Sequence, residues 1–398
     1  LERISRLARK ALTLLDTKVR SYGFTPVVHF ELEGGFKPSA KMGNKQLNFS
    51  AINQAMAKLN LQAELKPEYW QNQWEYVSLF EGQSPLTEAN NLEKAMQILP
   101  SLLKQFGAQD VYIRPVIWAG DKGSLATGSK AIFTDKNRDI HIPNAVQLNL
   151  SLLDSNGDNL MADGPLAEQI QHRMLQTSYD CCCIFLPEEE AYERLKLKTV
   201  YGLTDELSSP DNLSGGHQGS IALYRQWGKH NQPMGVEALL VDAQQNTLTT
   251  HQDWRKTARI EHRIGAASRY FSPHLNVVYA LANVVDVLHS RQKGALMPIG
   301  RSGDNQQIYP SRDLPDSLYG SATFPGGALS LFKQNDWLGQ MIWLAQSDHT
   351  VANNKSSSEE QDIGSELKQA VIDFYESKRP ADTKGASPSK PANKHFAS

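Results

Sequence analysis

Residues 25–33 read TPVVHFELE, and the alternation in this run is the strongest constraint in the chain. On a strand, successive side chains point to opposite faces. Val28, Phe30 and Leu32 then share an apolar face suited to packing on helices, and Val27, His29, Glu31 and Glu33 share the other. A fold built on this strand must bury one face and find a use for two adjacent carboxylates on the second.

Two further segments repeat the theme. Glu68 and Glu75 bracket the aromatic run EYWQNQWE, and Gln73 shares a strand face with Glu75. In RIEHR, Arg259, Glu261 and Arg263 alternate against Ile260, His262 and Ile264. If these faces line one cavity, several carboxylates converge. Burying them unpaired costs several kcal/mol each, so a divalent cation or an arginine must balance them. An all-oxygen site of this kind suits Mg²⁺ or Mn²⁺.

The surrounding pattern predicts an α+β fold, with a large, mostly antiparallel sheet and helices packed on it. Helices are expected over residues 1–22, 50–60 (capped by Ser50), 87–106, 163–179, 273–289, 327–345 and 362–378. Strands are expected at 25–33, 73–79, 111–118, 145–153, 219–227, 235–242 and 257–264, with a polar loop at 120–137. With 41 Lys+Arg against 43 Asp+Glu, the net charge of −2 excludes a strongly basic nucleic-acid binder. No apolar run approaches the roughly 18 residues of a membrane span. The opening LERISRLARK is charged and helical in pattern, unlike a signal peptide. The only cysteines, Cys181, Cys182 and Cys183, are contiguous, which predicts buried reduced thiols on a strand or helix and a cytoplasmic location. His29, His141 and His172 are expected as packing or surface histidines, and no P-loop or GxGxxG is present.

Taken in order, FTPVVHFELE, EYWQNQWE, AVQLNLSLLDSNGDNL, YERL, YRQWGKHN and ARIEHRIGAASRYFSPHLNVVYALANVV resemble the catalytic domain of glutamine synthetase over roughly residues 1–345. The resemblance implies an ATP-dependent ligase. It would join the γ-carboxylate of glutamate to ammonia or an amine through an acyl phosphate, on two divalent ions, Mg²⁺ or Mn²⁺. The glutamates of the substrate-side metal would be Glu33, Glu68 and Glu75. Glu31 and Glu261 would serve the nucleotide-side metal, with Gln147 in the place of the family's histidine and Asn149 in that of a second one. Arg194 would bind the substrate carboxylate, and Arg259 and Arg263 match the catalytic arginines of the RIExR strand.

The resemblance also marks departures. NQPMGVE puts Gln232 and Glu237 where the family has phosphate-clamping arginines. Residues 219–222 carry no acid at the position of the flap glutamate, and residues 142–145 (IPNA) replace a glycine-rich substrate loop. These favour an alternative, a degenerate member acting as a binding or assembly partner. Residues 1–345 would form the catalytic-type domain, with an inserted loop at 197–218. Residues 346–398 would be a flexible linker, the 362–378 helix and a disordered tail. The family's N-terminal β-grasp domain has no counterpart here, as it would if the chain were a truncated fragment. Rings of subunits, or association with a full-length synthetase, are the partnerships the resemblance implies.

Overall fold

A computed structural model describes residues 1–42, 46–68, 70, 72–79, 83–122, 124–125, 132–133, 139–200, 221–225, 243–244, 254–294, 314–352 and 362–380. Its centre is the predicted strand, β1 (Thr25–Pro38), which continues five residues beyond Glu33. Around it an antiparallel sheet of seven strands assembles. β9 (Val146–Leu153) pairs with its first half and β3 (Gln73–Ser78) with its middle. β4 (Ala108–Tyr112) pairs with its end. Beyond β9 lie β11 (Arg259–His262) and β10 (Ile221–Tyr224), and beyond β3 lies β2 (Ala63–Pro67).

The alternation holds as expected. Val28, Phe30, Leu32, Trp74, Tyr76, Leu148, Leu150 and Ile260 all belong to one hydrophobic core. Helices cover that face. α1 (Glu2–Ser21) buries Leu7, Ala8, Ala11, Leu12, Leu15 and Val19 at helical spacing. α6 (Pro273–Gln292) packs along α1 and is buried nearly all round, which its apolar sequence anticipates. Ser272 caps it, its hydroxyl accepting from the Leu275 N–H, and Pro273 opens it where no intrahelical N–H is needed.

Several boundaries differ from expectation for identifiable reasons. α2 (Phe49–Lys58) is capped by Asn48, whose side chain accepts from Ala51 N–H at 3.1 Å, rather than by Ser50. α3 (Pro85–Gln105) starts at Pro85 behind a Ser84 cap, two residues before Thr87. The expected strand 111–118 is two strands, β4 and β5 (Val116–Lys122), because Pro115 between them has no N–H to donate. The 120–137 stretch is not wholly loop. The end of β5 lies in it, with β6 (Ser124–Leu125) and β7 (Ile132–Phe133), and β8 (Asp139–Pro143) follows and pairs with β5. Hairpin strands this short show no apolar periodicity to betray them. The expected strand 235–242 and most of the 197–218 insertion lie outside the described residues.

The 163–179 helix is α4 (Leu166–Cys181), and a 3₁₀ turn, Cys182–Ile184, ends it. All three cysteines are free and buried, and burial pushes the Cys182 thiol up to about 12. α5 (Glu189–Val200) follows; its charged sequence gave no helical stripe to read. The 327–345 helix is two, α7 (Gly327–Gln334) and α8 (Trp337–Ala352). α9 (Ile363–Lys378) appears where the 362–378 helix is expected. Leu367, Ala370, Val371 and Tyr375 of α9 belong to the same core as the sheet. The Tyr375 hydroxyl donates to the Cys183 carbonyl at 2.7 Å. The 354–361 stretch and the residues after 380 lie outside the described residues.

One position in β1 is tightly constrained. Gly34 faces Trp74 across the β1–β3 pair, and a Cβ there would fall 2.2 Å from a carbon of the indole ring. Gly34→Ala should therefore cost about 1–3 kcal/mol of stability through overpacking. Urea titration followed by tryptophan fluorescence measures it, and an unchanged midpoint would show that the ring moves aside freely.

Candidate functional site

The face of the sheet turned away from the helices collects the predicted site residues in cross-strand rows. Directly paired residues share a face in an antiparallel ladder. One row runs Glu261 on β11, Asn149 on β9, His29 on β1. The next runs Gln147, Glu31, Val77 and Glu64. The third runs Glu33, Glu75 and Lys66. Glu68 follows Pro67 at the end of β2, its N–H donating to the Gln73 carbonyl at 3.2 Å. Glu31, Glu33, Glu75, Glu261, Gln147 and Asn149 thus sit on one surface, with Glu68 at its rim.

The inner half of this surface, over β11, β9 and the start of β1, is a closed polar lattice. Glu261 is fully buried. Arg259 Nη2 donates to Glu261 Oε2 at 2.8 Å, and Arg263 Nη1 donates to Glu261 Oε1. Arg259 Nε also donates to Asn149 Oδ1 at 2.7 Å, and Asn149 Nδ2 donates to Glu31 Oε1 at 3.1 Å. Arg263 Nη1 reaches Gln147 Oε1 at 3.1 Å and the Tyr224 hydroxyl at 3.4 Å. The Arg259 guanidinium stacks 4.7 Å from the centre of the Tyr224 ring, a cation–π contact. Burial alone would favour loss of the Arg263 proton. The Glu261 carboxylate outweighs it, with Tyr224, Glu31 and Glu33 adding, and holds Arg263 above the ordinary arginine range. His29, buried beside this lattice, is held down to about 3 by burial and then by the Arg259 charge, so its imidazole is neutral.

The outer half differs. Glu33 and Glu75 oppose each other across β1 and β3. Glu33 Oε2 accepts the Ala145 N–H at 2.7 Å, and the Glu33 N–H donates to the Ala145 carbonyl at 2.9 Å. Asn144, fully buried, pins this end. Its Oδ1 accepts from Gln73 Nε2 at 2.9 Å and its Nδ2 donates to the Arg114 carbonyl at 3.1 Å. Ile117 lies over Gly35, where a Cβ would come within 2.5 Å of its Cδ1. With Ile142, Trp70 and Tyr112 it forms a small apolar cluster beside the carboxylates.

Arg194 on α5 is buried and donates from Nη1 to the Ile264 carbonyl at 3.0 Å, just past Arg263. Among the histidines, His172 is buried on α4 with its Nδ1 2.9 Å from the Glu168 carbonyl, in keeping with a packing role. His262, opposite the arginines on β11, packs edge-on to Phe185 and Tyr279. Tyr224 was not singled out by sequence, although it sits in the YRQWGKHN run; nothing in its spacing signals that it supports two arginines. Gln232 and Glu237 lie outside the described residues. Ile221 and Ala222 form the start of β10, with Ala222 opposite Glu261.

The two cation positions implied by resemblance are not equivalent. Oxygens of Glu261, Gln147 and Asn149 are already hydrogen-bonded by arginines, so the inner set does not fit a divalent ion. Glu33, Glu75 and Glu68 are hard oxygen donors of the kind Mg²⁺ and Mn²⁺ take. Among the described residues, no three His, Cys, Asp or Glu side chains gather closely enough to hold a metal ion. No described helix is long and apolar enough to cross a membrane.

This sheet and its covering helices define a glutamine-synthetase-like α+β fold. The chain is similar to a structure described as a novel glutamine synthase homolog, with a TM-score of 0.53 and 17% identity, covering 92% of this chain and 75% of that one. An ADP complex of GmaS matches with a TM-score of 0.54 and 13% identity, covering 94% and 75%. Glutamine synthetase of Plasmodium falciparum matches with a TM-score of 0.51 and 14% identity, covering 94% and 78%. No family model and no curated protein sequence matches the chain.

Proposed function

We propose that this protein uses a glutamine-synthetase-like sheet as a binding site and has given up ATP-driven amide synthesis. Its ligand is a glutamate-like amino acid, held near the outer carboxylates with a divalent cation, Mg²⁺ or Mn²⁺, at Glu33, Glu75 and Glu68. Cation binding there requires the Glu68 turn to close on the other two. The protein then acts as a binding or assembly partner, among copies of itself or with an active synthetase.

One observation supports this reading: amide side chains, Gln147 and Asn149, occupy the inner rows and bond to arginines and to Glu31. An amide oxygen is a weak, neutral ligand for a phosphate-bound cation. The departures at Gln232 and Glu237 point the same way, since a phosphate clamp is worth orders of magnitude in rate. The second reading, a divergent carboxylate–amine ligase using ATP, is favoured by the facing pair Glu33 and Glu75.

A single assay separates the two. Purified chain with ATP, Mn²⁺, glutamate and a panel of amines including ammonia should release no phosphate above the protein-free rate. ATP-dependent formation of a γ-glutamyl amide would overturn the proposal in favour of the ligase.

A further inference from the structure

We infer that the inner half of the sheet face carries its own cation: the guanidinium groups of Arg259 and Arg263 stand on Glu261 in place of a divalent ion. This rests on the reading above only in treating the outer half as the cation-binding half. Glu31 and Glu261 bring two negative charges to the inner half, and Arg259 and Arg263 bring two positive ones. Among the described residues these four charges cancel before any ligand arrives. A divalent ion added to it would face a guanidinium on each oxygen of its principal ligand. In a buried site, like charges at that range are strongly repulsive.

The neutral donors agree. Gln147 Oε1 and Asn149 Oδ1, the other oxygens an ion would recruit, each accept from an arginine. Tyr224 then braces both cations, its ring against Arg259 and its hydroxyl toward Arg263. A metal ligand set would leave these oxygens open on one side. Here they point at guanidinium nitrogens, of which those of Arg263 are buried and those of Arg259 belong to a side chain only 11% exposed. The inner half is therefore a finished structural unit, and phosphates of a nucleotide have no metal there to bridge to.

The test uses the whole chain and Mn²⁺ by calorimetry, alone and then with ATP. The inference expects no Mn²⁺ binding that depends on Glu261. Affinity in Glu261→Gln should match wild type, whereas Glu33→Gln should weaken any binding about tenfold or more. After subtraction of the Mn²⁺–ATP titration run without protein, adding ATP should leave the protein's Mn²⁺ binding unchanged. Because Glu261→Gln disturbs a buried network, NMR of the wild-type arginine Nε–H groups gives a second measurement. The Arg259 Nε–H, which donates to Asn149, should stay slow to exchange and unshifted as Mg²⁺ is added.

Mn²⁺ binding abolished by Glu261→Gln but kept in Glu33→Gln would overturn the inference. So would ATP-strengthened Mn²⁺ binding, or release of the Arg259 Nε–H by Mg²⁺. Wild type that binds no Mn²⁺ at all, with the Nε–H protected, would support the inference and remove the cation from the proposed outer site. Phosphate release in the ligase assay with these signatures intact would sink the proposed function and leave the inference standing.

Discussion

Arg263→Met should lower stability by about 3 kcal/mol or more, an effect outside the usual range for a substitution on a sheet face. Arg263 and Glu261 are both buried, and Glu261 has no accessible surface at all. Removing one guanidinium leaves a carboxylate oxygen desolvated, with Arg259 the remaining described ion pair on Glu261. Gln147 and Tyr224 lose a partner in the same step. Urea unfolding of the variant measures the loss. A midpoint within error of wild type would mean that Glu261 is satisfied without Arg263, and the inner lattice would lose its claim to be a structural unit.

The second large effect is on pH dependence, and it arises on the opposite face. Glu88 on α3 is fully buried near Ser78 and Tyr76, in the layer between helix and sheet. Burial lifts its carboxyl to about 8, partly offset by the Ser78 hydroxyl. The folded protein therefore keeps this proton while the unfolded chain loses it near 4.5. Between those values the folded state binds more protons, so stability falls as pH rises. Above about 8 the full penalty applies. Glu88→Gln removes the titration and should stabilise the protein at pH 8 by a few kcal/mol, on the order of 3.

Well below pH 4.5, where Glu88 is protonated in both states, the advantage should vanish. His29 acts in the opposite sense. Held at about 3 by burial and Arg259, it contributes a loss of stability as pH falls below 6.5. The variant should thus keep its acid-side decline and lose its alkaline-side one. Parallel stability profiles for wild type and Glu88→Gln from pH 5 to 8.5 would refute the assignment.

How much of this was legible from sequence depends on the kind of information each feature needs. The face of β1 could be read because alternation is a local property of a strand. The gathering of Glu31, Glu33, Glu75 and Glu261 followed once their segments paired. That a cation or an arginine must balance buried carboxylates was also readable, since it is a charge argument. Which of the two does so was not. Arg259 and Arg263 share a face with Glu261 on either account, and only the cross-strand placement of Gln147, Asn149 and Tyr224 turns them onto it. Glu88 was invisible because it belongs to a helix whose acidic residues look solvated one at a time. β2 and α5 escaped because neither has an apolar stripe long enough to stand out.

The length of β1 has a consequence for how this protein can vary. Its 14 residues serve three partner strands, one side building the core and the other the site. Exchanges at Glu31 or Glu33 can rewrite the binding chemistry and leave Phe30 and Leu32 where they are. A deletion of a single residue near His29 cannot be so selective. It would turn both carboxylates toward Trp74 and Tyr76 and send the apolar side chains out among the arginines. The strand tolerates new letters but no change in their count, so the lineage of this chain can drift far in identity while the frame it is written in stays fixed.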